Sequence, residues 1–180
     1  MGSHRMVTKQ VSFYEEMTNV PFIIAGPGIH PRQKPVEDLL TQPTIDLLPT
    51  LCELAGIPVP SSKPGISLAP FLKGEKQKRQ HPYAASEWHS EYEVTVSPGR
   101  MIRSPRYKYT HYLEGNGEEL YDMLKDKGER RNLAHDPKYS KILAEHRALL
   151  DDYIRRTQDD YRSLKVEADK RWRSHAPGSV

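Results

Sequence analysis

Apolar and polar positions along the chain follow two different periods. "NVPFIIAGPGI" is a short run of branched and aromatic residues closed by Gly26-Pro27-Gly28, the pattern of a strand buried on both faces in the middle of a parallel sheet. After the polar stretch "HPRQKPVED", the segment "TIDLLPTLCELAG" places Ile45, Leu48, Leu51, Cys52 and Ala55 at helical spacing, with Thr44 as N-cap and Gly56 as C-terminal stop. Pro49 lies inside that pattern and predicts a late start or a bend. Residues 57–80, rich in proline, serine and lysine, read as a loop with one helical turn around "ISLAPFLKG".

Beyond that point the period is two. "HPYAASEW", "VTVSPGRMI" and "YKYTHY" read as strands, "RSPR" supplies turn chemistry between the second and third, and "EELYDML" follows the Gly115-Asn116-Gly117 turn. Tyr107, Tyr109, His111 and Leu113 alternate with Lys108, Thr110 and Tyr112, which predicts a half-exposed antiparallel strand. "DPKYSKILAEHRALLDDYIRRTQDDYRSL" is a long helix capped by Asp136, with Pro137 in its first turn and a stripe of Ile142, Leu143, His146, Leu149, Leu150, Tyr153 and Ile154. From Lys165 the periodicity fades. The fold class is therefore α+β: a strand-and-helix part over residues 1–72, a small antiparallel sheet packed by a long helix over 73–164, and a tail over 165–180.

Composition narrows the function. With 36% hydrophobic and 28% charged residues the balance is that of a globular chain. The net charge of +3 is interleaved with acids, so no basic stripe follows a phosphate backbone and nucleic acid is not expected as a partner. The single cysteine, Cys52, excludes an internal disulfide and reads as a small hydrophobe. No apolar run reaches membrane-spanning length and no leader pattern is present, so a soluble chain without a membrane partner is expected. His81, His135, His146 and His175 have no carboxylate or cysteine at ligand spacing, so no metal site is assigned.

Four stretches, in order, resemble the C-terminal part of a type I sulfatase of the alkaline phosphatase-like superfamily. "GSHRMVTKQVSFYEEMTNVPFIIAGPGI" is similar to the family's Gly-x-His, a lysine five residues later, a Tyr-Glu and a buried strand ending in Pro-Gly. "TIDLLPTLCELAGI" resembles its Asp-x-x-Pro-Thr helix, "RMIRSPRYKYTHY" its Arg-Tyr-Lys-Tyr hairpin, and "ELYDMLKDKGERRNLA" its Leu-Tyr-Asp, Glu, Asn-Leu signature. The register of His4 with Lys9 also argues that "MGSHR" is native rather than a tag remnant.

The resemblance implies that residues 1–72 are a remnant of the catalytic α/β domain and that the reaction is sulfate ester hydrolysis. The family uses a formylglycine nucleophile, made from the first residue of Cys/Ser-x-Pro-x-Arg, and a calcium ion; neither that motif nor an acidic ligand set occurs in these 180 residues. Both groups are expected only in a full-length relative, with none in this fragment. Lys9 matches the active-site lysine, whose ammonium would donate to a sulfuryl oxygen. His4 stands either near the leaving group as an acid or as a residue that fixes the loop. Trp88 and His89 in "SEWHSEYE" either line the mouth of the site against a sulfate ester substrate or pack at a hairpin end. Tyr14 and Glu15 are assigned a structural role, the glutamate satisfying backbone donors near a helix end.

Three functional readings remain open at this level. The chain is a sulfatase fragment that does not turn over alone, a fragment of a phosphonate or phosphodiester hydrolase of the same superfamily, or a noncatalytic binding or assembly module. The apolar strand and helix of residues 20–55 predict self-association or docking with a missing N-terminal portion.

Overall fold

The computed structural model describes residues 4, 12–31, 36, 39–76, 81–89, 98–113 and 117–164. The chain divides into two compact units, one of Val20–Ala84 and one of Met1–Asn19 with Ala85–Val180. The helices are α1 (Glu15–Thr18), α2 (Pro43–Leu54), α3 (Ala69–Leu72) and α4 (Ser140–Thr157), and the strands are β1 (Ala84–Trp88), β2 (Gly99–Arg103), β3 (Tyr107–Tyr112) and β4 (Glu118–Asp122). No helix among the described residues is long and apolar enough to cross a membrane.

In the unit of Val20–Ala84, the expected strand at "VPFIIA" is not formed. Residues 20–25 have no regular structure, and Val20 and Ile23 are 58% and 85% exposed. A strand is held by a neighbour's hydrogen bonds, and among the described residues no strand pairs with residues 20–25. α2 begins at Pro43 with Gln42 as N-cap, earlier than the expected Thr44, and runs through Pro49 without ending. Its C-terminus is the predicted one: Gly56 has φ +68°, Ile57 N–H donates to Cys52 O at 2.8 Å and Gly56 N–H to Glu53 O at 3.3 Å, a Schellman closure.

The buried face of α2 is the reverse of the apolar stripe. Asp46, Pro49 and Thr50 are buried, whereas Leu47, Leu48 and Leu51 are 41–51% exposed. Hydrogen bonds decide this. Asp46 Oδ2 accepts from Gln42 N–H and Oδ1 from Ile66 N–H, both at 2.8 Å, and His81 Nε2 lies 2.8 Å from Oδ1. Thr50 Oγ1 donates to Asp46 O at 2.6 Å and accepts from Leu68 N–H at 2.9 Å. Such bonds tie the returning 66–68 backbone to the helix's polar side and leave its leucines uncovered.

In the other unit the strands form one sheet in the order β1-β2-β3-β4. β2 and β3 are antiparallel with Ile102 opposite Tyr109, and β3 and β4 are antiparallel with Tyr109 opposite Leu120. α4 covers the face bearing Ile102, Tyr109 and Leu120 with its buried Leu143, His146 and Leu150. The predicted half-exposure of β3 is overturned: Lys108, Tyr109 and Thr110 are each 1% exposed. Alternation assumed water on the Lys108 face, and residues 12–18 occupy it instead.

Asp136 accepts from Lys138 N–H as predicted, but Pro137–Tyr139 form a 3-10 turn before α4 begins. α4 also stops earlier than the pattern suggests, at Gln158 with φ 56°. The reversal brings Asp159 onto the buried Arg100 through two hydrogen bonds of 2.6 and 2.8 Å, and inserts the fully buried Tyr161 beneath that guanidinium, 4.4 Å from ring centre to Cζ.

Candidate functional site

Within the sheet-and-helix unit, residues from three of the stretches behind the sulfatase resemblance, "SFYEEMT", "RYKY" and "KDKGERRNLA", meet in one buried cluster over the second face of the sheet. Lys108, the second residue of β3, stands between Arg103 of β2 and Tyr121 of β4. Its Nζ lies 2.6 Å from Glu15 Oε1 and 2.9 Å from Glu129 Oε1, and donates to Phe13 O at 2.9 Å and Thr18 Oγ1 at 3.3 Å. Glycine at position 99 permits this approach, because a Cβ there would stand 2.6 Å from the Phe13 ring.

The Asp126–Leu133 segment completes the cluster. Asp126 Oδ2 accepts from the amides of Arg130 and Arg131, closing a turn in which Glu129 adopts φ 48°. That backbone points the Glu129 carboxylate inward, where it is 2% exposed and its Oε2 accepts from Glu15 N–H at 2.7 Å. Asn132 then fastens the segment to β4, accepting from Leu120 N–H at 3.0 Å and donating to Glu118 O at 3.0 Å. The expectation for Glu15 is thus modified: the carboxylate that satisfies the backbone donor of α1 belongs to Glu129, while Glu15 itself pairs with Lys108.

Tyr14 borders the cluster. Its hydroxyl donates to Glu119 Oε1 at 3.3 Å, and burial with nearby carboxylate charge pushes it up to about 12. Burial also raises the Glu119 carboxyl above the usual carboxylate range. Arg103 is lowered by burial, a shift opposed by the charges of Glu15 and Glu129.

Of the sequence-assigned site residues, His4 is brought here. Its ring stacks on Tyr14 at 3.6 Å between centroids and 2° between planes, and its Nε2 is buried with no hydrogen-bond partner among the described residues. Lys9 lies outside the described residues. Trp88 ends β1, the opposite outer strand of the sheet from β4; its carbonyl accepts from Arg100 Nη1 at 2.9 Å. It is half-buried, and His89 beside it is exposed. Lys108 and Glu129 were not assigned as site residues although both sit in quoted motifs, because alternation placed Lys108 in water and a charged turn is ordinarily solvated. No sequence signal pairs residues 15, 108 and 129.

The groups implied by the resemblance do not fit the described residues. His4, Glu16 and Glu129 hold ligand-type atoms within 4.8 Å of one another. Calcium takes six to eight oxygen ligands, whereas this trio offers one nitrogen and a Glu129 whose two oxygens are already engaged by Lys108 and Glu15 N–H. Cys52, the only cysteine, is half-buried in α2 before Glu53-Leu54-Ala55, not Pro-x-Arg.

The sheet, its packed helix and the converging motifs define the class as the C-terminal subdomain of a sulfatase. Residues 2–156 match the family described as N-sulphoglucosamine sulphohydrolase, C-terminal, and the chain belongs to it. It is similar to the Delta 4,5-hexuronate-2-O-sulfatase of Bacteroides thetaiotaomicron, with 77% identity over 178 residues that make up 99% of this chain and 37% of that protein. A solved 2-O GAG sulfatase superposes with a TM-score of 0.92 at 77% identity, over 98% of this chain and 38% of that one. Arylsulfatase K of Homo sapiens is 34% identical over 140 residues, 73% of this chain and 25% of that protein. The chain therefore spans well under half the length of these relatives.

Proposed function

We propose that this chain is the C-terminal portion of a sulfatase that removes 2-O-sulfate from Δ4,5-unsaturated hexuronates, contributing Lys9 to the sulfuryl site, and that these 180 residues do not turn over by themselves. The observation that carries the reading is 77% identity to the hexuronate sulfatase along 99% of the chain. Lys9 stands five residues after His4, the spacing on which its assignment rests. An ammonium held against a sulfuryl oxygen stabilises the charge that develops in the transition state, and removing one such donor costs about 2.7–4 kcal/mol. A lone lysine supplies neither nucleophile nor metal, so sulfate release by this chain alone is not expected.

The test is a complementation assay. The chain is fused behind the N-terminal portion of the Bacteroides thetaiotaomicron relative and offered a 2-O-sulfated Δ4,5-unsaturated uronate disaccharide. The fusion should release sulfate, Lys9→Ala in the fusion should lower kcat about a hundredfold to a thousandfold, and the isolated chain should release none. Turnover by the isolated chain, or a fully active Lys9→Ala fusion, would refute the reading.

A further inference from the structure

We propose that the buried Lys108–Glu15–Glu129 trio, together with the His4–Tyr14 stack, is a clasp that fixes residues 13–18, the stretch that follows Lys9 in the sequence, on the sheet, which makes Lys108 and Glu129 positioning residues for sulfuryl transfer. The proposal rests on the sulfatase reading of Lys9 given above.

Three observations lead to it. Lys108 Nζ has four partners, and three of them, Phe13 O, Glu15 Oε1 and Thr18 Oγ1, belong to the N-terminal segment. The ammonium thus holds a stretch of backbone that follows Lys9 onto the sheet. Glu129 engages the same stretch from the other side through Glu15 N–H, from a left-handed backbone conformation that is unfavourable for a residue with a side chain. Finally, Lys9 is five residues from His4 and five from Tyr14, and those two flanking rings are stacked on each other. The described flanks of the lysine are therefore held to one place on the sheet.

Stability alone does not account for the charges. A buried ion pair is often no more stabilising than well-packed apolar residues of the same volume, and its best-attested use is to specify register. At position 108 an apolar side chain of similar volume would serve burial as well as a lysine. It would not select Glu15 and Glu129 as neighbours, so the segment could shift along the sheet. Misplacement of a reacting group by about 1 Å costs about a hundredfold in rate.

The experiment uses the active fusion described above and reads kinetics and hydrogen exchange together. Lys108→Met should lower kcat about tenfold to a hundredfold with KM nearly unchanged, and Lys108→Arg should restore part of the loss. Amides of residues 13–19 should exchange about tenfold faster in Lys108→Met, while those of α4 keep their protection. Glu15→Gln, on the most exposed member of the trio at 27%, is the milder variant should Lys108→Met not fold, and the same pattern is expected of it. Unchanged kcat, or a kcat loss accompanied by equal loss of protection in α4, would overturn the proposal. If Lys9→Ala abolishes turnover while Lys108→Met and Glu15→Gln do not, the clasp fails and the sulfatase reading stands. If Lys9→Ala retains turnover, the reading itself fails and the clasp's role in catalysis falls with it.

Discussion

Gly65 is required by a carbonyl twenty residues earlier. Pro49 has no N–H for the carbonyl of Ile45, and the backbone of residue 65 passes against that oxygen with φ +113°; a Cβ there would sit 2.1 Å from Ile45 O. Gly65→Ala should therefore destabilise the unit of Val20–Ala84 by more than about 1–3 kcal/mol. Gly26→Ala, where nothing lies within 4 Å of the new Cβ, should stay within about 0.5 kcal/mol. Chemical denaturation of the two variants checks the contrast. Arg100 poses the opposite case, a charge 3% exposed that is compensated by Asp159 and the carbonyls of Trp88 and Gly99. Removing the partner by Asp159→Ala strands that charge, and a loss of about 3–5 kcal/mol is expected.

α4 is the element on which the sheet depends. Leu150 is 1% exposed on its buried stripe, and Leu150→Asp should unfold the sheet-and-helix unit, seen as loss of its cooperative melting transition. Lys9→Ala should leave that transition where it is, because its role is assigned to chemistry and not to the core. The same helix predicts a pH response. His146 Nδ1 donates to Ile142 O and Nε2 lies 2.9 Å from Ser104 Oγ, with Tyr107 edge-on and Glu145 nearby on α4. Burial holds His146 below its ordinary value, and does the same to His111 on β3, which faces Tyr161 and feels Glu118, Arg147, Arg162 and Asp151. The folded state thus prefers neutral rings and the unfolded chain binds protons more readily. The stability they contribute is present above about pH 6.5 and lost as pH falls below it. Glu118, held down to about 2 chiefly by Arg147, loses its contribution only at lower pH. Melting midpoints should therefore fall between pH 7 and 5.5 in the wild type, and His146→Leu should flatten that dependence.

For the chain as a whole, the uncovered side of α2 dominates the expected solution behaviour. Leu47, Leu48 and Leu51, with Ile57 and Val59 just beyond, are exposed within one unit, and an apolar surface of that kind favours association. Light scattering should show dimers or larger species that bind a hydrophobic dye. Leu48→Glu with Leu51→Glu should shift the chain toward monomer and lower dye binding without lowering the melting of the sheet-and-helix unit. A compact wild-type monomer that binds no dye at high concentration would contradict this.

What was legible from the chain alone was local. Turn chemistry at "RSPR", the glycine stop at position 56 and the apolar stripe of α4 each depend on neighbours within a few residues, and each is found where residue order puts it. Sulfatase family membership was legible for the same reason, since its motifs are short and ordered. Which side of an element is covered was not local. α2 buries Asp46 and Thr50 because amides of Ile66 and Leu68 bond to them, β3 buries its lysine because residues 12–18 return to its second face, and "VPFIIA" forms no strand because no described strand pairs with it. A side chain's own polarity does not specify these outcomes. Only the tertiary fold, by bringing the carboxylates of Glu15 and Glu129 within 3 Å of the Lys108 ammonium, joins three charges that are distant in sequence into one buried cluster.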